Sequence, residues 1–216
     1  MKLISLNVGR PRVVMRGDEP VSTGIFKEPV DGRIRLRTLN LDGDRQADLS
    51  VHGGPTKAVY LYPSEHYEFW RRELPGMNLP WGMFGENFTT EGLDESEMYI
   101  GDELRVGSAL VMVTEPRMPC YKLALKFGRS DIIKRFLASG RTGFYFSVLE
   151  EGDVGAGDEF TIIKKDPARV RVADITRLYA WDKNNRELLE RAMDLEALPV
   201  SWRDYFEHRM QKLSTT

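Results

Sequence analysis

From Leu3 to Lys164, glycine and proline cut the chain into short runs, most of which alternate apolar and polar residues as strands do. Leu3 to Val8 has the alternation of a half-buried strand. Arg33 to Arg37 alternates more strictly and puts its arginines on one face. Lys57 to Tyr62 is rich in strand formers and stops at Pro63; Gly107 to Thr114 reads as a buried strand. Phe144 to Leu149 and Glu159 to Lys164 read as closing strands. Two helices interrupt the pattern. Ser64 is placed to cap one that runs to about Leu74 with Tyr67, Trp70 and Leu74 on one face. Ser130 is placed to cap another, with a stripe of Ile132, Ile133, Phe136 and Leu137.

Near Asp166-Pro167 the texture changes. Ile175, Leu178 and Tyr179, then Leu188, Leu189, Ala192 and Leu195, then Trp202, Tyr205, Phe206 and Met210 mark three short helices. Asn184 or Asn185 can cap the second, and Pro199 opens the third. The organisation expected is a β-rich domain over residues 1–166 and a three-helix appendage over 167–216. A length of 216 residues suffices for one sizeable core with such an addition. A net charge of −2 gives no global attraction to nucleic acid or an anionic membrane, so neither is an expected partner. No run approaches a membrane span, and the apolar stretch at the N-terminus is too short for a signal peptide. With one cysteine, Cys120, no intramolecular disulfide can form, and a reducing cytoplasm is the expected compartment.

Several familiar signatures are missing. Gly152 to Gly157 has the wrong glycine order for a dinucleotide loop and reads as a hairpin turn. Gly53-Gly54-Pro55-Thr56-Lys57 lacks P-loop spacing. The three histidines share no metal-ligand spacing, and one cysteine cannot hold an iron–sulfur cluster. What remains is four polar clusters at strand ends: Leu41-Asp42-Gly43-Asp44-Arg45-Gln46, Ser50-Val51-His52-Gly53-Gly54-Pro55-Thr56-Lys57, Phe84-Gly85-Glu86-Asn87-Phe88, and Glu115-Pro116-Arg117-Met118-Pro119-Cys120. Loops fixed at strand ends are where polar groups converge on a ligand. Lys57 and Arg117 suit a phosphate or other anion, with amides of the Gly53-Gly54 turn as further donors. Pro119 favours an extended Met118 and a helix from about Cys120 to Phe127, ended by Gly128. A thiol there, near Lys57 or Arg117, would have a lowered pKa, and thiolate is both a soft ligand and a nucleophile. Each residue also has a plainer reading. A lone cysteine is more often a small buried hydrophobe, and His52 serves as well as a loop-stabilising hydrogen-bonder. Asp44-Arg45 and Glu86-Asn87 serve as well as turn residues. His66 is expected on the solvated side of its helix, and Arg10, Arg12 and Arg16 in a surface loop or lid.

Taken in order, Asp-Gly-Asp-Arg (42–45), His-Gly-Gly-Pro-x-Lys-Ala-Val (52–59), Phe-Gly-Glu-Asn-Phe (84–88) and Pro-Arg-x-Pro-Cys-x-Lys (116–122) resemble the MOSC domain, the C-terminal domain of molybdenum-cofactor sulfurases. The resemblance spans about residues 30 to 165. The trailing helices resemble the three-helix segment of the YiiM-like branch. The resemblance implies a mainly β fold, β-barrel-like with peripheral helices. It implies the molybdenum cofactor (a molybdopterin), with Cys120 as the protein ligand to molybdenum and the catalytic residue. His52, Lys57, Asn87 and Arg117 would line the pterin–phosphate or substrate pocket, and Asp44 and Arg45 would contact the cofactor or support the loop. The implied activity is reduction of N-hydroxylated compounds, such as hydroxylaminopurine-type base analogues, for detoxification. The implied partners are a small N-hydroxylated substrate and a separate electron-donating reductase, which docks at the terminal helices or the Arg-rich stretch; a homodimer is also compatible. Other functions use the same residues: a sulfur carrier with a persulfide on Cys120, a non-catalytic anion- or pterin-binding module, or a Cys–His hydrolase of Cys120 and His52.

Overall fold

The computed structural model describes residues 1–47 and 53–214. The chain runs β1 (Lys2–Val8), β2 (Arg12–Arg16), β3 (Glu19–Thr23), β4 (Glu28–Pro29), β5 (Arg33–Leu36), a 3-10 turn at Pro55–Lys57, β6 (Val59–Pro63) and α1 (Ser64–Glu73). It continues through β7 (Phe88–Glu91), β8 (Glu103–Val106), β9 (Ala109–Pro116), α2 (Tyr121–Phe127), α3 (Ile132–Ser139), β10 (Phe144–Glu150), β11 (Gly152–Gly155) and β12 (Phe160–Lys164). Three helices follow: α4 (Val172–Ala180), α5 (Arg186–Met193) and α6 (Val200–Ser214).

Eight strands form the main sheet in the order β12-β8-β9-β10-β6-β7-β1-β4. Its one parallel pair is β6 with β7. Parallel neighbours need a crossover, and α1 supplies it, burying Tyr67 and Trp70. The sheet curls until the start of β1 meets the approach to β12: Leu3 N donates to Asp158 O at 2.8 Å and Phe160 N to Met1 O at 3.0 Å. The expected barrel nevertheless stays open, with no closing ladder among the described residues. β1 spends its far end on β4, through Asn7 and Val8, and leaves only its first residues to meet 157–160.

The buried side chains form two clusters. One is strongly aromatic, gathering Tyr60, Tyr62, Tyr67, Trp70, Phe84 and Phe136 where α1, α2 and α3 pack. The other joins Leu3, Leu61, Val111 and Phe146 of the sheet to Ile175, Leu188, Trp202 and Phe206 of the last three helices. Asn185 caps α5, its side chain accepting from Leu188 N at 3.1 Å. Gly128 ends α2 at φ 63, where a side chain would be strained.

Several local expectations need correction. Ser64 does not cap α1: Pro63, extended at φ −63 and ψ 134, precedes the helix, and the Ser64 hydroxyl donates to Glu65. Asp131, not Ser130, precedes α3, and it makes no side-chain capping bond. Lys57 ends the 3-10 turn and is not part of β6. Gly152 to Gly155 is a strand paired with β5, so the turn comes after it. The Arg-rich stretch is half of the β2–β3 hairpin. His66 faces inward, its Nε2 2.8 Å from Glu95 Oε2.

Candidate functional site

β6, β9 and β10 lie side by side in the sheet, and the connections at their ends meet around Cys120. β9 runs into Pro116, and the turn Arg117 to Cys120 follows it. The 3-10 turn before β6 brings Lys57, the Gly85 to Asn87 turn leads into β7, and the loop after β5 brings Arg45. Together they surround a pocket of about 680 Å³, measured out to its open mouth. Gly24 lets its wall close, because a Cβ there would meet the Arg45 carbonyl oxygen at 2.4 Å.

The charge of this pocket is one-sided. Lys27, Arg45, Lys57, Arg117 and Lys122 line it, and no carboxylate does among the described residues. In a chain with net charge −2 this concentrates basic side chains in one pocket, although Lys27 is paired with Asp44 and Lys57 faces Glu115. Arg117 is its deepest cation, 5% exposed, with the guanidinium carbon 5.3 Å from the Tyr60 ring and 5.2 Å from that of Phe136. Its buried Nη1 has no hydrogen-bond partner among the described residues. A buried charged donor left unsatisfied is costly, so it points to a ligand that would complete it.

Cys120 is half-buried on the pocket wall, just ahead of α2, in an extended conformation with φ −123 and ψ 169. No group of three or more His, Cys, Asp or Glu side chains able to hold a metal occurs among the described residues. A metal bound at Cys120 would therefore bring most of its other ligands with it. A single soft sulfur ligand beside a recess lined by basic side chains fits an anionic, sulfur-ligated metal cofactor.

The other expected site residues divide by role. Lys57 lies in the pocket with Nζ 3.5 Å from Glu115 Oε2, and Arg45 sits at the exposed rim. Asp44 and Asn87 are turned to internal bonds. Asp44 Oδ1 accepts from Gly9 N at 2.8 Å and from Lys27, and its Oδ2 accepts from Asn87 Nδ2 at 3.0 Å. Asn87 also donates to Asn7 O and accepts from Tyr60 N. They hold three loops in register around the pocket. His52 lies outside the described residues.

Lys27 and Tyr145, which sequence reasoning passed over, also matter, as do Glu86 and Glu115, which it named only as members of polar clusters. Lys27 is buried, and burial lowers its pKa against the opposing pull of Asp44. Tyr145 lines the pocket, and burial pushes its phenol up to about 12. Glu86 is wholly buried and accepts from Gly82 N, Phe84 N and the Tyr67 and Thr89 hydroxyls; burial raises its pKa. Glu115, the first residue of the fourth polar cluster, lies near the end of β9. Its carboxylate accepts from Trp202 Nε1 at 2.9 Å and Thr56 Oγ1 at 3.2 Å, and burial raises its pKa.

Fold and site together define a cysteine-bearing, sheet-rich domain with a cationic pocket and a helical C-terminal segment. Residues 48–161 match the MOSC domain family and 172–213 the YiiM-like, 3-alpha helix domain, and the chain belongs to the MOSC domain family. It is 40% identical to YflK of Bacillus subtilis (strain 168), covering 98% of this chain and 95% of that protein. It is 42% identical to Protein YiiM of Escherichia coli (strain K12), covering 71% of this chain and 67% of that protein. A protein of Gibberella moniliformis (strain M3125 / FGSC 7600) named Reductase is 31% identical over 82% of this chain but only 32% of its own length. Among solved structures, that of YiiM from Geobacillus stearothermophilus has a TM-score of 0.82 and 32% identity, covering 97% of this chain and 98% of that one. No described helix is long and apolar enough to cross a membrane.

Proposed function

We propose that the protein is a molybdenum-cofactor-dependent reductase of N-hydroxylated compounds such as hydroxylaminopurine-type bases. The observation that carries this reading is the half-buried Cys120 beside the buried guanidinium of Arg117, whose Nη1 has no hydrogen-bond partner among the described residues, in a pocket lined by five basic side chains and, among the described residues, no carboxylate. A relative named Reductase supports the reaction class.

Cys120 serves as the thiolate that anchors the metal, and Arg117, Lys57, Lys122 and Arg45 neutralise the cofactor phosphate. Bound there, the cofactor supplies a two-electron exchange, and an N–OH group, two electrons and two protons give N–H and water. The electrons come from a separate reductase protein. The β2–β3 hairpin, with Arg12 and Arg16 beside exposed Val13 and Met15, offers that partner a surface.

The test is the molybdenum and pterin content of protein made in a cofactor-competent host. Near-stoichiometric molybdenum is expected, together with reduction of an N-hydroxylated purine when an electron donor is supplied. Cys120→Ala should lose the metal and the reduction together while keeping its circular dichroism spectrum. Wild-type protein without molybdenum sinks the reading, and a sulfane sulfur on Cys120 without pterin would make it a sulfur carrier.

A further inference from the structure

Cys120 borders a second recess as well. Pro116, Met118 and Pro119 of the turn after β9 form one side, and Tyr179 of α4 with Trp202 and Tyr205 of α6 form the other. It is an open groove of about 890 Å³ out to its mouth. Lys57, Met118, Cys120 and Tyr145 line both recesses, so the two adjoin at the thiol.

The chemistry changes across that border. The first recess is cationic, whereas the second is walled by rings. Tyr179 and Trp202 have centroids 5.6 Å apart, Tyr179 and Tyr205 5.7 Å, and Trp202 and Tyr205 6.3 Å. The indole is pinned, since its Nε1 donates to Glu115, which also takes Thr56 and faces Lys57. Packing within the helical segment accounts for Trp202 against Phe206 at 5.5 Å. Tyr205, 38% exposed, and the half-buried Tyr179 pack on the same indole and still line the recess that Cys120 borders. A fixed group of aromatic rings beside a reactive centre suits a flat conjugated ring, because every nucleobase has a π-face to stack.

We propose that this groove seats the planar heteroaromatic ring of the substrate, with Trp202 and Tyr205 as the residues that select such rings over aliphatic N-hydroxylated compounds. This rests on the reductase reading only in directing the exocyclic N–OH toward Cys120. The ring seat itself requires no metal.

Titration of the full-length, cofactor-loaded protein with 2-aminopurine tests it. This probe is a fluorescent purine without an N–O bond, so its binding is read without turnover. Saturable quenching by the wild type is expected. Tyr205→Ala should weaken binding about tenfold, Tyr205→Phe should restore it, and molybdenum content should be the same in all three. Trp202→Phe, which keeps a ring but loses the tie to Glu115, should bind more weakly than wild type. Absence of saturable quenching, or equal affinity in wild type and Tyr205→Ala, overturns the proposal. Molybdenum-bearing protein that does not bind the purine would sink the groove alone. Purine binding that depends on Tyr205 in protein unable to take up molybdenum would sink the reductase reading and leave the groove as a purine site.

Discussion

Arg117 carries a charge that solvent barely reaches, and its Nη1 has no partner among the described residues. Its guanidinium cannot shed the charge by deprotonation, so the fold bears the cost of that buried donor. Arg117→Met should therefore keep or raise the stability of cofactor-free protein, by up to about 2 kcal/mol, while abolishing pterin retention. Urea unfolding and pterin content measure the two effects; a large loss of stability would show Arg117 to be a structural residue. Lys126 shows burial acting on a group that can yield its proton. Its Nζ donates to Ile25 O at 2.9 Å and to Gly82 O. Burial lowers its pKa to about 8, helped by Lys27, Arg12 and Arg117 and opposed by Glu86. The folded pKa lies below the ordinary 10.5. Between the two values the unfolded chain holds a proton that the folded chain has released, so the fold gains stability as pH rises through that window. Below it the penalty is present in full. Unfolding free energies from pH 7.5 to 9.5 should rise for wild type relative to Lys126→Met; parallel profiles would rule out Lys126 as the source.

At the scale of elements, Asp44 shows how one loop residue organises several. From the loop after β5 it holds Gly9 at the end of β1, Lys27 beyond the β2–β3 hairpin, and Asn87 at the entry to β7. Removing the carboxylate would take away the ion-pair partner of Lys27 and leave it only the weaker pull of Glu86. Asp44→Ala is thus expected to cost about 3–5 kcal/mol, and Asp44→Asn less, in denaturant unfolding. A cost below about 1 kcal/mol would mean that Lys27 finds another partner or sheds its charge, as its lowered pKa allows. The turn after β9 was legible in the sequence, because prolines on both sides of Arg117 and Met118 restrict the backbone whatever packs around them. The role of Asp44 was not. Asp-Gly-Asp bonds its own turn as readily as a distant lysine, and only tertiary packing decides. The same limit explains Ser64 and His66. Pro63 took the position expected of the capping serine, and the partner of His66, Glu95, lies 29 residues away. The β2–β3 hairpin was missed because its arginines and Pro20 obscure the alternation while Val13 and Met15 remain exposed.

For the whole molecule, the open question is what the last three helices do. Their periodicity was legible, since apolar residues recur every three or four positions from Ile175 to Met210. Where those stripes pack was not legible, because the same stripe can face a sister helix or a sheet. Here they do both. Val172, Ile175 and Leu178 share one cluster with Leu61, Val111 and Phe146, and Val170 O accepts from Ile100 N at 2.9 Å. Trp202 reaches back 87 residues to Glu115. Ending the chain at residue 166 would uncover the sheet face that these side chains cover and remove a donor from a buried carboxylate. Burial of apolar surface is the main source of stability, and a domain's margin is only about 5–15 kcal/mol. A chain of residues 1–166 should therefore bind a hydrophobic dye such as ANS and lose cooperative unfolding, whereas the full chain unfolds in one transition. If 1–166 instead melts cooperatively and binds no dye, the sheet domain is self-sufficient. The helices would then act only as a wall of the aromatic groove, and the shortened protein should retain molybdenum while losing 2-aminopurine binding.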